Sequence, residues 1–250
     1  MGESKKPQKS DLARACDEAM VVDTMGGRVH VRWDEKAQVT PHGQMVFFAE
    51  FLAVAGVFDR WVQQCPLRYT SPNASSARDV LSTLMLGTQS GSKRYAHIAA
   101  VAARALDMQS MVNEGTTRRA LKSMQPDASE PRMRTALMDS VRDALGRPWV
   151  LDMDATIKPL YGHQEGAELG YNPHKPGRPS HVLHTFWVGN LRLVRDAVLA
   201  SGKQHTSRHA KAGLTRLLDE LDDRAPSLVR GDCGYGNEDI IDVCAQRGLT

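Results

Sequence analysis

The chain has 250 residues, which is enough for one large domain or two modest ones. Its composition, with 41% hydrophobic and 24% charged residues, is typical of a soluble globular protein and excludes a disordered or fibrous chain. The net charge of +3 permits a nucleic-acid partner without arguing for one, because the placement of basic residues matters more than a small excess.

Targeting and cysteine patterns predict a protein of the cytoplasm. The longest apolar run, residues 45–58, is interrupted by Glu50 and is shorter than the roughly 20 residues that a membrane span needs. The first ten residues are polar and lysine-rich, so we expect a disordered leader and no secretory signal peptide. The four cysteines form no C-x-x-C pair, which argues against a zinc knuckle or a disulfide framework.

The first half of the chain has mostly helical periodicity. A short alternating stretch at 28–33 predicts a strand, which Pro41 and the preceding glycines keep short. Apolar spacing then predicts helices at 44–63, 75–87, 94–106, 116–124 and 131–145. We therefore expect a leader with a short β segment over 1–43 and a helical region over 44–146.

After Pro148 the pattern changes to strands mixed with helices. The predicted elements, in chain order, are strands at 149–157, 182–188 and 191–198, a helix at 209–223, a strand at 227–230 and a helix from residue 236. The dipeptide Gly189-Asn190 between two strands is typical of a hairpin, so those strands should be antiparallel neighbours. A loop rich in glycine, proline and histidine occupies 162–180. Residues 147–250 are thus expected to form an α/β domain.

Acidic residues lie at the ends of two predicted buried strands. Asp152 and Asp154 are two positions apart, so they point to one face of their strand, and Asp232 follows the strand at 227–230. Such carboxylates need compensation by a cation, an arginine or solvent. No basic residue lies beside them in the sequence, and hard oxygen ligands suit Mg²⁺ or Mn²⁺. From spacing alone, a metal site and simple turn caps at the rim of the sheet are equally open.

The second half resembles the catalytic domain of bacterial insertion-sequence transposases of the DDE class. The similarity is carried by residues 151–205, beginning LDMDATIKPLYGH, and by LVRGDCGYGNEDII at 228–241. Residues 75–124, with EGTTRRAL near their end, are similar to the helical DNA-binding region of that family. The resemblance implies a fold that is α/β (α+β overall), with a helical N-terminal DNA-binding region before an incomplete RNase H-like mixed sheet.

The resemblance also implies the residues that perform the chemistry. The family's first two catalytic aspartates fall on Asp154 and Asp232, which would bind two Mg²⁺ or Mn²⁺ ions. One ion would activate a water or 3′-hydroxyl nucleophile and the other would stabilise the leaving oxygen. Asp152, on the same face, is expected to contact the ligands or to lie at the solvent edge rather than to bind the metal.

The family's third acid, a glutamate on a late helix, has no counterpart in the given sequence. The last predicted helix carries three acids that follow Asp232 too closely to serve as this third acid, namely Glu238, Asp239 and Asp242. The resemblance therefore implies a partial DNA transposase, a DDE-class polynucleotidyl transferase that is inactive when this chain is alone.

Basic residues in two places are expected to bind DNA. Lys175 and Arg178 lie in the glycine-proline loop, and Arg118, Arg119 and Lys122 lie near one face of a short helix that would belong to a helix-turn-helix. The alternatives are a solvated loop and an ordinary surface helix. The resemblance implies double-stranded DNA as the partner, namely element terminal repeats and target DNA. It also implies a homodimer in a synaptic complex, in the nucleoid of a bacterial cytoplasm.

Two other functions are compatible with parts of the sequence. A non-catalytic remnant of a transposase would bind the same DNA and inhibit the intact enzyme. A haloacid-dehalogenase-like phosphatase would use the D-x-D-x-T motif, with Asp152 as nucleophile and Asp154 as general acid. That fold needs a parallel sheet with crossover helices, which the predicted hairpin does not favour.

Overall fold

The computed structural model describes residues 19–37, 42–69, 71–101, 111–203 and 206–249. The chain divides into two compact units between Ala136 and Leu137. The three segments expected from the sequence, 1–43, 44–146 and 147–250, stay a prediction, since compactness alone does not define functional segments. Within the residues that the structure describes, no helix is long and apolar enough to cross a membrane.

The first unit combines a small hairpin with short helices. Strands β1 (Met20–Thr24) and β2 (Gly27–Val31) pair antiparallel. The helices are α1 (Met45–Val54), α2 (Val57–Gln64), α3 (Ala77–Gln89), α4 (Ala96–Val101), α5 (Glu114–Ser123) and α6 (Pro126–Val141), the last of which continues into the second unit. The predicted helical character is confirmed, although residues 102–106 of the predicted fourth helix lie outside the described residues.

Local sequence explains where these helices begin and end. The predicted helix over 44–63 is two helices, because Gly56 adopts a left-handed conformation (φ +62°) between α1 and α2. Helix α3 begins with a capping box, in which the Ser76 hydroxyl accepts from the amide of Asp79. Helix α6 starts at Pro126 rather than at Pro131, because proline is well tolerated in a first helical turn.

The second unit contains a four-stranded mixed sheet. Its strands are β3 (Val150–Pro159), β4 (Ser180–Val188), β5 (Leu193–Ser201) and β6 (Leu228–Gly231), in the spatial order β5-β4-β3-β6. Strands β3, β4 and β5 are antiparallel to their neighbours, while β6 runs parallel to β3. The mixed sheet confirms the α/β fold class. It is not the parallel sheet that the phosphatase interpretation requires.

Helices α7 (Thr206–Leu221) and α8 (Glu238–Gln246) belong to the same unit and share its hydrophobic core. Alternation along β3 buries Leu151 and Met153 in this core and leaves Asp152 and Asp154 on the opposite face. The predicted hairpin between β4 and β5 is confirmed. Its loop has more residues than the predicted pair, because Leu191 and Arg192 also lie outside the strands, and Arg192 has a φ of +55°.

Candidate functional site

The register of two parallel strands brings Asp154 and Asp232 together. Strands β3 and β6 are paired from Val150 and Leu228 up to Met153 and Gly231, so each acid is the next residue after the last pair. Adjacent strands lie about 4.8 Å apart. Residues in register on parallel strands point to the same face. Continued by one residue, this register would place the two carboxylates beside each other at one end of the β3–β6 pairing.

The pKa of Tyr235 is affected by both carboxylates. This residue lies in a 3₁₀ turn, Cys233–Tyr235, directly after Asp232, and its side chain is buried. Burial raises the pKa of its hydroxyl, and the negative charges of Asp154 and Asp232 raise that pKa further because they disfavour a phenolate. Their joint effect on one buried hydroxyl supports the convergence that the strand register implies.

Each carboxylate has a local hydrogen bond and remains exposed. The Asp232 Oδ1 accepts from the amide of Gly234 at 2.9 Å and so caps the 3₁₀ turn. The Asp154 Oδ2 lies 3.5 Å from the Thr156 hydroxyl. In the described parts of the chain, neither acid forms an ion pair. The turn-cap and metal interpretations of Asp232 are therefore compatible, because capping uses one oxygen and leaves the other.

Asp152 has a different environment from Asp154. Its two carboxylate oxygens accept from the Nε and an Nη of Arg230, at 2.6 and 2.8 Å. This bond raises the pKa of the Arg230 guanidinium. The predicted contact of Asp152 with the metal ligands stays untested, and the structure instead gives this carboxylate an arginine partner from the adjacent strand.

Sequence reasoning missed Arg230, although a signal was present. Arg230 precedes Asp232 by two residues, as Asp152 precedes Asp154. When the acids lie in register on parallel strands, the two preceding residues do so too, and Asp152 is paired with Arg230.

The donor set at Asp154 and Asp232 fits a divalent cation of the Mg²⁺ type. Such ions are commonly held by one or two carboxylates, with water and substrate phosphate oxygens completing the octahedron. Over the described residues, no group of three or more histidine, cysteine or acidic side chains is arranged to hold a metal. Asp239 of α8 instead forms an ion pair with Lys211, at 2.6 Å.

His184 is buried and lies close to Tyr235 and to a second histidine, His209. His184 of β4 has its Nδ1 3.4 Å from the Tyr235 hydroxyl, and its ring centre is 6.1 Å from that of His209 on α7. Burial, and secondarily the charge of His209, lowers the pKa of His184. Within the described residues, the Nε2 atoms of both histidines are buried without a hydrogen-bond partner. His184 thus links Tyr235 to α7 on the core side of the sheet.

The predicted DNA-binding residues of α5 are exposed on the first unit. Arg118 forms an ion pair with Glu114 at 2.8 Å and lies 4.9 Å from the Tyr95 ring centre. Arg119 donates to the Thr116 hydroxyl at 3.2 Å, and Lys122 is exposed one turn further along the helix. Their spacing keeps all three near one helical face.

The predicted DNA-binding residues of the glycine-proline loop belong to the second unit. Arg178 lies over the Tyr161 ring, 4.5 Å from its centre, and Lys175 is exposed. The backbone amide of Lys175 donates to the side chain of Asn172 at 3.1 Å, which orders that part of the loop. Both cations present their charged groups to solvent.

A family model described as "Transposase DDE domain group 1" matches residues 72–250, which is most of the chain. The chain belongs to this DDE transposase family. The resemblance expected from the sequence is therefore confirmed. The family match includes α5 of the first unit and the whole sheet of the second.

Solved transposase structures are similar at low scores. A piggyBac transposase synaptic complex with hairpin DNA has 12% identity and a TM-score of 0.37, covering 78% of this chain and 46% of that one. A Mos1 transposase paired-end complex with the left transposon end has 10% identity and a TM-score of 0.28, covering 86% and 68%. This DDE transposase chain thus spans about half the length of the piggyBac chain. No curated protein matches it. The family model carries the assignment.

Proposed function

We propose that this DDE transposase chain contributes to metal-dependent cleavage and transfer of DNA strands at insertion-sequence ends, with Asp154 and Asp232 as metal ligands. The observation that supports the proposal is the β3–β6 register, which ends one residue before two exposed carboxylates, in a chain of this family. Neither carboxylate has an ion-pair partner among the residues that the structure describes.

The chain's own residues would act mainly by placing charge. Asp154 and Asp232 would hold one or two Mg²⁺ or Mn²⁺ ions between adjacent strands. Bound there, the metal would activate a water or 3′-hydroxyl nucleophile and neutralise charge on the phosphate. Tyr235 stays protonated beside the acids, so its buried hydroxyl can donate a hydrogen bond without adding negative charge. With two carboxylates in the described site, we expect weak metal binding and little cleavage by this chain alone.

DNA would be bound through phosphate contacts. Arg118, Arg119 and Lys122 on α5, and Lys175 and Arg178 in the loop, are exposed cations that suit a duplex backbone. We propose that the partners are double-stranded terminal repeats and target DNA, and that two copies act together, since two element ends must be joined.

A non-catalytic DNA-binding remnant is the second candidate. The observation that favours it is the limited donor set, since no cluster of three metal ligands occurs among the described residues. The two candidates share their DNA contacts and differ in whether the acid pair binds metal and supports strand cleavage.

Manganese binding separates the two candidates. Mn²⁺ would be titrated into the full chain, with free Mn²⁺ followed by electron paramagnetic resonance, and nicking of supercoiled plasmid would be measured in parallel. Removing one unit charge about 4 Å from a divalent ion in water weakens binding about thirtyfold. We expect that loss in Asp154→Asn and in Asp232→Asn.

Asp242→Asn is the matched control, because Asp242 is an exposed acid on α8. It should bind Mn²⁺ as wild type does. Equal Mn²⁺ affinity in wild type, Asp154→Asn and Asp232→Asn would refute the metal site. DNA binding that persists without metal binding or nicking would favour the remnant.

A further inference from the structure

We propose that Arg230 selects the ligands of the metal site, by holding the Asp152 carboxylate away from a cation bound at Asp154 and Asp232. The inference rests on the proposed metal site. It assigns Arg230 a positioning role that acts through Asp152.

Three carboxylates lie on one face of two adjacent strands. Asp152 and Asp154 are two residues apart on β3, which is about 6.7 Å along a strand. Asp154 and Asp232 are each the next residue after the last pair of the β3–β6 register. A cation at the acid pair would therefore be within reach of a small movement of Asp152. In the structure both oxygens of Asp152 are bound instead by Arg230, at 2.6 and 2.8 Å.

The position of the ion pair is fixed by strands β3 and β6 and by the turn at Gly189. Asp152 and Arg230 are register partners on β3 and β6, so their side chains leave the sheet together. Gly189 closes the third side, since a Cβ built there would lie 2.0 Å from the Asp152 Oδ2 and 3.3 Å from an Arg230 Nη. The Gly189 amide also donates to the carbonyl of Val150 at 2.8 Å, which holds this turn against β3.

The Asp152–Arg230 ion pair leaves the charges on this face unevenly distributed. We call residues 152 and 230 the first row and residues 154 and 232 the second row. The row of Asp152 and Arg230 is neutral, and the row of Asp154 and Asp232 carries two negative charges. The Arg230 side chain is 58% exposed, so substitution leaves no uncompensated charge in the core. Without Arg230, the face would carry three negative charges and a third carboxylate would be free to bind metal.

The test is Mn²⁺ affinity of the full chain, measured by electron paramagnetic resonance without DNA. Removing a positive charge about 7 Å from a divalent ion in water tightens binding about sevenfold, before any new ligand bond. We therefore expect Arg230→Gln to bind Mn²⁺ about tenfold more tightly than wild type. The double variant Asp152→Asn/Arg230→Gln should return close to wild-type affinity, because the released carboxylate is gone.

Arg247→Gln is the matched control, because Arg247 forms a 2.6 Å ion pair with Asp219 in the same unit. It should leave Mn²⁺ affinity unchanged. Circular dichroism would check folding, and if Arg230→Gln unfolds, Arg230→Lys replaces it. Lysine keeps the charge but cannot form two parallel bonds, so a smaller gain of about twofold is expected.

Unchanged or weaker Mn²⁺ binding in Arg230→Gln would overturn the inference. A double variant as tight as Arg230→Gln would also overturn it, because the Asp152 carboxylate would then contribute nothing to the tighter binding. Failure of the proposed metal site would give a different result, namely equal Mn²⁺ affinities for Asp154→Asn and the wild-type chain.

Discussion

A methyl group at position 189 tests the packing around the Asp152 carboxylate. Gly189 has no left-handed φ, so alanine there costs no backbone strain. An ideal Cβ would nevertheless lie 2.0 Å from the Asp152 Oδ2 and 2.7 Å from its Cγ. Ordinary contact begins near 3.4 Å, so the carboxylate or the turn must shift by more than 1 Å.

The loss of stability in Gly189→Ala depends on how far the turn at residue 189 can shift. The Gly189 amide is bonded to the Val150 carbonyl at 2.8 Å, which resists movement of the turn. Overpacking of this kind costs about 1–3 kcal/mol, and an otherwise tolerated glycine-to-alanine change returns about 0.4–1 kcal/mol. We therefore expect the free energy of unfolding to fall by about 1–2 kcal/mol.

Urea unfolding followed by circular dichroism measures this loss, and hydrogen exchange of peptides from 137–250 assigns it to the second unit. Gly146→Ala is the matched control, since a Cβ at Gly146 meets nothing within 4 Å and its φ is not left-handed. We expect that variant to be as stable as wild type or slightly more stable.

The double variant Gly189→Ala/Asp152→Ala identifies the clashing atom. Asp152→Ala removes the carboxylate that the new methyl group meets, so Gly189→Ala should cost little in that background. An undiminished penalty there, or wild-type stability of Gly189→Ala alone, would refute the packing argument.

Two further predictions concern the buried histidine and the basic helix. His184 has a pKa below 6.5 in the fold, where Tyr235 and His209 are its ring neighbours, so the unfolded chain binds more protons. Below pH 6.5 the free energy of unfolding should fall, by at most about 1.4 kcal/mol per pH unit for this proton, and His184→Gln should flatten the slope in urea titrations. Arg119→Ala should weaken binding to a DNA duplex and reduce the slope of log K against log salt concentration by about 1. The control Arg28→Ala, at an exposed arginine, should change neither quantity. Equal slopes for Arg119→Ala and the wild-type chain would count against phosphate contact.

Much of the second unit could be predicted because its signals are local. Alternation around Asp152 and Asp154 marked β3, and Gly189-Asn190 marked the hairpin. Both are properties of neighbours in sequence, so they survive without knowledge of the fold. Strand β1 was missed for the opposite reason, since Met20–Thr24 is identified mainly by its pairing with β2.

The residues of the candidate site also differ in whether local sequence identifies them. Asp154 and Asp232 could be named from their strand-end positions and from the family resemblance. The spacing of Arg230 before Asp232 repeats that of Asp152 before Asp154, but the Arg230–Asp152 contact follows from it only once the two strands are known to lie side by side. The partner of His184, Tyr235, is likewise distant in sequence. Contacts of this kind depend on register, which sequence spacing alone does not set.

The register of β3 and β6 gives a single physical origin to the features of the site. Asp152-Met153-Asp154 and Arg230-Gly231-Asp232 are two tripeptides with the same spacing, placed side by side on parallel strands. A slip of one residue would point one member of each pair to the opposite face. In the observed register, Arg230 neutralises Asp152, and Asp154 and Asp232 each follow the last strand pair. The unneutralised pair therefore lies at the exposed end of the ladder, where hydrated cations and phosphate groups have access.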